Sequence, residues 1–159
     1  MLRFDSMGLL TPNTNIATTL IELKEYFVDN IPSETRLQNY EKYIYYSTEL
    51  KKLLGLESMV QWVDGSFVTS IRNPKDIDLV TFIDFESRTK LESELKRFEA
   101  RGANTIYGVD AYILTVFPED HKKSFYFQSD KAYWNERFTK TRRDNFGKKN
   151  PKGFVEIIF

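Results

Sequence analysis

Between residues 59 and 83 the chain reads MVQWVDGSFVTSIRNPKDIDLVTFI, two apolar runs separated by the polar stretch Gly65 to Lys75. Runs rich in β-branched and aromatic residues, bounded by Gly, Ser, Asn and Pro, predict buried strands over 59–63 and 76–83 joined by a loop. The second strand carries Asp76 and Asp78. Side chains alternate along a strand, so both carboxylates face one way while Ile77 and Leu79 face the other. Two carboxylates so close repel, one is pushed to a higher pKa, and aspartate is a poor strand former. A divalent cation offsets both penalties: Cα atoms roughly 6.5 Å apart at ~3.3 Å of rise per residue suit ions held ~3.5–4 Å apart. On this tripeptide alone a second reading stays open, with Asp76 in the turn after Pro74 and Asp78 solvated at the strand end.

The flanking residues extend the pattern. Gly65 and Ser66 follow the first strand directly; a glycine there permits close backbone approach, and a hydroxyl beside backbone N–H groups can hold phosphate oxygens. Asp110, in the apolar run GVDAYILTVF (108–117), is a third isolated carboxylate on a predicted strand, and it supplies the remaining ligand for a metal pair. Thr69, Arg72 and Lys75 lie in the loop between Gly-Ser and the acids, where they are candidates to contact phosphates. Residues 140–152 hold Lys140, Arg142, Arg143, Lys148, Lys149 and Lys152 against Asp144 alone. Such a run is a solvated loop or a grip on phosphates or a nucleic-acid backbone, with Arg143 and Lys152 the candidates to reach the site.

Elsewhere the chain alternates helical patterns with these strands. Residues 1–12 read as an extended arm ending at Thr11-Pro12. Ile16, Leu20, Leu23 and Phe27 keep helical spacing after Asn13 or Thr14 as N-cap. Pro32 and Ser33 open a longer helix through Leu37, Tyr40, Ile44, Leu50, Leu53 and Leu54, which Gly55 stops. A third helix is expected from Ser87 to Gly102. Residues 118–130 read as turns with an exposed His121, KAYWNERF (131–138) as a short helix, and FVEIIF as a closing strand. Trp62 and Trp134 read as core and rim. This is an α+β pattern with a small mixed sheet and helices packed on one face. It forms one domain over 1–159, residues 1–57 supplying an arm and bracing helices and 58–159 the sheet core and basic loop.

Hydrophobic residues make up 41% of the chain and aromatic residues 15%, enough to fill a core without disulfide or zinc, and cysteine is absent. The 23 cations balance 23 acids, which argues against a generally basic nucleic-acid binder. No secretory pattern opens the chain and no apolar run suits a membrane span, so the expectation is a cytoplasmic protein with no membrane partner.

The order of strand, Gly65-Ser66, nine intervening residues, Asp76-Ile77-Asp78-Leu79 and then a carboxylate on a later strand, Asp110, resembles the polymerase-β-like nucleotidyltransferase superfamily. Asp64 departs from that pattern, which has an apolar residue before the glycine. FDSMGLLTPN, WVDGSFVT and the ending YWNERFTKTRRDNFGKKNPKGFVEIIF are similar to small bacterial nucleotidyltransferase-like proteins found near defence and toxin–antitoxin loci. The resemblance implies a palm-like nucleotidyltransferase fold and two Mg²⁺ (or Mn²⁺) ions on Asp76, Asp78 and Asp110. It implies an NTP donor held through Gly65 and Ser66, and transfer of a nucleoside monophosphate to a hydroxyl on RNA, protein or a small molecule. So small a fold is compatible with a homodimer or a partner protein carrying the acceptor. The alternative is a catalytically silent, antitoxin-like binding module that keeps the fold.

Overall fold

The computed structural model describes residues 2–159. Arg3–Phe4 (β1) and Leu10–Thr11 (β2) pair antiparallel, so the predicted arm is a hairpin. Its turn is held by the Asp5 carboxylate, which accepts from the N–H groups of Met7 and Leu9 at 2.8 and 2.9 Å.

Asn15–Ala17 (β3) is a strand, where a helix was expected. The first helix, α1 (Leu20–Lys24), starts after Thr19, whose hydroxyl accepts from Glu22 N–H while the Glu22 carboxylate accepts from Thr19 N–H. This reciprocal cap outcompetes Asn13 and Thr14 as a start signal. The chain continues through a π-helical segment, Glu25–Asp29, to α2 (Arg36–Leu54), which Gly55 ends at φ 64° as expected. The buried residues of α2 are Arg36, Asn39, Tyr43, Tyr46, Ser47 and Leu50, whereas Leu37 is 52% exposed. Polar residues on the inner face hid its true orientation from a reading of apolar spacing.

Val60–Asp64 (β4) leads into a 3-10 turn, Ser66–Val68, and then Asp78–Asp84 (β5). The single helix expected over 87–102 is broken into α3 (Phe85–Lys90), α4 (Glu92–Leu95), a 3-10 turn Lys96–Phe98 and α5 (Ala100–Tyr107). Gly102 lies inside α5, where a Cβ would meet Lys96 O at 2.4 Å; Gly108, at φ 70°, is the stop. After Asp110–Val116 (β6), the helix α6 (Ser124–Phe138) starts well before residue 131. Its early aromatics Phe125 and Tyr126 are 73% and 59% exposed, so no core-facing stripe announced its first turns. His121 is half-buried beside Phe85 and Phe117, with ring centroids at 4.7 and 5.0 Å. Phe154–Ile158 (β7) closes the chain.

The fold is α+β. Its five-stranded mixed sheet runs β3-β7-β4-β5-β6, with β4 antiparallel to β5 and β7 and the outer pairs β3/β7 and β5/β6 parallel. On one face Leu23, Phe27, Tyr43 and Leu50 of the helical half pack on Val63, Leu79, Ala111 and Ile157. On the other, Phe138 and Trp134 of α6 pack on Trp62, Val80, Leu114 and Phe154. Helices therefore cover both faces, a correction to the one-sided expectation, because the central strands are apolar on both sides and each face needs a cover. The first 57 residues also contribute β3 to the sheet, so they do more than brace it. Among the described residues no helix is long and apolar enough to cross a membrane.

Candidate active site

Three aspartates stand in one row across the sheet. Asp64 at the end of β4 is the register partner of Asp78 at the start of β5, and Asp78 is the partner of Asp110 at the start of β6. Paired residues share a face, here the one that Trp62 and Val80 fill further along the same strands. The strand of Asp110 thus lies beside the first acidic strand, a neighbourhood that spacing alone left open. Asp110 N–H also donates to Ile77 O at 3.0 Å, tying the two strands together just before the acids. Asp76 precedes β5 rather than belonging to it, and it reaches the same cleft from the loop.

Burial raises the Asp78 carboxyl to about 7, and the charges of Asp64, Asp110 and Asp76 add to the rise while Arg142 opposes it. Burial likewise lifts Asp64 to about 6, against the pull of Lys152. Lys152 donates from Nζ to Asp64 and, at 3.3 Å, to Phe138 O; both ionic partners are buried. Asp64, which departs from the superfamily pattern, therefore brings its own counter-charge, and Lys152 serves it rather than standing free for phosphate.

The loop between the strands is shaped by two residues. Gly65 holds φ 81°, and a Cβ there would lie 1.8 Å from Asp78 Oδ2. Only a glycine lets the loop pass this close to the acid. Arg36 of α2, fully buried, donates from Nη1 to Phe27 O (2.8 Å) and Phe67 O (2.6 Å), and from Nη2 to Thr69 O and Ile71 O (both 2.6 Å). Burial lowers its pKa to about 10, which leaves it cationic at neutral pH. Thr35 Oγ1 and Asn39 Nδ2 both donate to Pro74 O, at 2.8 and 2.9 Å, and hold the far end of the loop. Sequence reasoning missed Arg36, because a cation on a helix reads as solvated unless its burial is known.

A cleft of about 820 Å³ opens over the acids. It is lined by Asp64, Gly65, Ser66, Lys75, Asp76 and Asp78 from β4, β5 and the loop between them, and by Tyr133, Glu136, Arg137, Arg142, Arg143, Lys149 and Lys152 from α6 and the basic loop; Asp110 is not among the lining residues. Of the predicted contacts, Gly65, Ser66, Lys75 and Arg143 line the cleft. Thr69 also lines it, but its hydroxyl donates to Ser66 O at 2.7 Å and accepts from Ile71 N–H, so it serves the turn. Arg72 is outside the lining and donates from Nε to Pro32 O at 3.1 Å. Arg137 was passed over, lying in a helix with no periodic signal, and Arg142 was read within the basic run but not singled out to reach the site. Arg137 donates to Tyr133 OH at 3.1 Å and stacks on Trp134, with the Asp78 charge close enough to favour its cationic form.

The donor type at this site fits a hard divalent cation such as Mg²⁺ or Mn²⁺: carboxylate oxygens, one of them raised to about 7 by burial and then by its acidic neighbours. As placed, no three carboxylate or imidazole side chains among the described residues gather closely enough to enclose an ion. The fit is thus one of chemistry and charge, with Asp78 and Asp110 in register and Asp76 alongside.

A family model described as a family of unknown function (DUF6932) matches residues 2–158. No curated protein and no solved structure matches the chain.

Proposed function

The chain belongs to the family of unknown function DUF6932, and we propose that it is a divalent-metal-dependent nucleotidyltransferase with a polymerase-β-like palm. The observation that carries this reading is the register of Asp78 with Asp110 beside a glycine loop that packs on Asp78, with Asp76 and Asp78 lining a cleft that Arg137, Arg142 and Arg143 also line. Acids and arginines lining one cleft suit a metal-bound polyphosphate, whose negative charge needs both kinds of partner.

Asp76, Asp78 and Asp110 would hold the Mg²⁺ ions, which neutralise the triphosphate and favour deprotonation of the attacking hydroxyl. The Gly65-Ser66 turn offers backbone N–H groups and a hydroxyl to the β and γ phosphates. Lys75, Arg137, Arg142 and Arg143 offset the charge of the leaving pyrophosphate. The acceptor oxygen bonds to the α-phosphorus as the bond to pyrophosphate breaks, and Asp110 would take the hydroxyl proton. Rate enhancement then comes from positioning and charge neutralisation.

One observation favours the second reading, a silent binding module of the same fold: no three acids gather closely as placed. Thermal unfolding separates the two. Nucleotidyl transfer predicts a rise in midpoint that needs Mg²⁺ or Mn²⁺ together with an NTP and vanishes in Asp76→Ala/Asp78→Ala. No rise at millimolar ligand with any of the four NTPs would leave the silent module.

A further inference from the structure

The segment after α6 is a built hairpin. Lys140 and Pro151 form a bridge, Thr141 N–H donates to Asn150 O at 2.9 Å, and Asp144 N–H donates to Lys148 O at 2.9 Å. The tip is closed by the Asp144 carboxylate, which accepts from the N–H groups of Phe146 (2.9 Å) and Lys148 (2.8 Å), and by Arg143, which donates to Gly147 O at 3.1 Å. On that tip Phe146 is 95% exposed, the most exposed of the large apolar side chains. Nothing in the fold needs it there.

Lys140 is paired with Glu136 and Lys152 with Asp64, which leaves Arg142, Arg143, Lys148 and Lys149 around Phe146 with Asp144 as the local acid. Three of these cations also line the cleft, as does Tyr133, whose ring is 55% exposed. A flat apolar ring among unpaired cations is the chemistry that takes a base by stacking and the flanking phosphates by charge. A duplex keeps its bases stacked inside, out of reach of Phe146.

We propose that the 140–151 hairpin grips a single-stranded polynucleotide, stacking one base on Phe146 and leading the strand past Tyr133 to the acidic row. The grip itself needs neither metal nor nucleotide. That the strand's terminal hydroxyl is the acceptor rests on the nucleotidyl-transfer reading.

Fluorescence anisotropy with labelled single-stranded RNA and DNA oligonucleotides, on the full chain in EDTA, tests the grip apart from catalysis. The expected result is salt-sensitive binding that falls roughly 50-fold over a fourfold rise in salt, as about four phosphate contacts imply. Phe146→Ala should weaken it about 5- to 100-fold, Phe146→Trp should retain it, and Lys148→Glu should reduce the salt dependence. Phe146 and Lys148 lie outside the cleft lining, so an unchanged melting temperature verifies that these variants fold. Preference for RNA or DNA names the polymer, and either supports the grip. Absence of binding, or binding indifferent to Phe146→Ala, overturns it. So does equal displacement by a duplex or by a polyglutamate peptide, the latter assigning the hairpin to a protein partner. Binding that persists where no metal-dependent nucleotide shift is seen would retain the grip and reject the transferase.

Discussion

Gly65 and Asp78 face each other across the β4–β5 pair so closely that a Cβ on the glycine would lie 1.8 Å from Asp78 Oδ2. The Gly65-Ser66 turn and the central acid are therefore one packed unit. Neither can move without the other.

Gly65→Ala must strain a backbone at φ 81° and push Asp78 aside. We expect a loss of about 1–3 kcal/mol in urea unfolding, together with loss of the metal-dependent nucleotide shift. Unchanged stability would mean that Asp78 swings away freely and that the glycine is not needed for the approach.

The raised pKa of Asp78 gives stability a definite pH dependence. With the carboxyl at about 7 in the folded protein and ~3.9 in the unfolded chain, the folded state holds the extra proton between those values. Stability therefore falls as pH rises through that window and levels off above it. Asp78→Asn should remove this slope and raise stability at pH 8 by on the order of 2 kcal/mol. Asp64, raised to about 6, contributes a slope of the same sign at lower pH that remains in the variant. Urea midpoints measured in EDTA from pH 4 to 8 decide it, and identical profiles for the two proteins would reject the assignment.

Removing one partner of the buried Asp64–Lys152 pair strands the other. Lys152→Ala should destabilise by ~3–5 kcal/mol, while Asp64→Leu/Lys152→Met should recover most of the loss, because an apolar pair of similar volume replaces two desolvated charges. A double variant no more stable than the single would show that Lys152 acts through Phe138 O instead.

Arg36 holds four carbonyls that no other side chain reaches. Lysine lacks the planar fork, so Arg36→Lys should lose roughly 2–4 kcal/mol and speed amide exchange in residues 66–72. Faster exchange confined to α2 itself would contradict a bracing role for this loop.

How much of this was legible can be read residue by residue. Strands close to 59–63 and 76–83, the stop at Gly55 and the shared cleft of Gly65, Ser66, Asp76 and Asp78 followed from local pattern, since alternation, turn residues and left-handed caps act within a few positions, although β5 begins at Asp78 and leaves Asp76 in the loop. The start of α1 was misplaced because the Thr19–Glu22 reciprocal cap is decided by competition among nearby hydroxyls. The start of α6 was misplaced because its early aromatics face outward. Arg36 and Arg137 were missed for one reason: the role of a cation depends on what the fold packs around it.

The sequence by itself determined that Asp76 and Asp78 sit at the mouth of an apolar strand behind a Gly-Ser turn, an arrangement set by nearest neighbours along the chain. Only the tertiary structure decided that Asp110 lies in register with Asp78, that Lys152 neutralises Asp64 and that a buried arginine braces the loop. Those contacts join residues from 31 to 88 positions apart, and such partners are chosen by sheet order and burial, which no local pattern encodes.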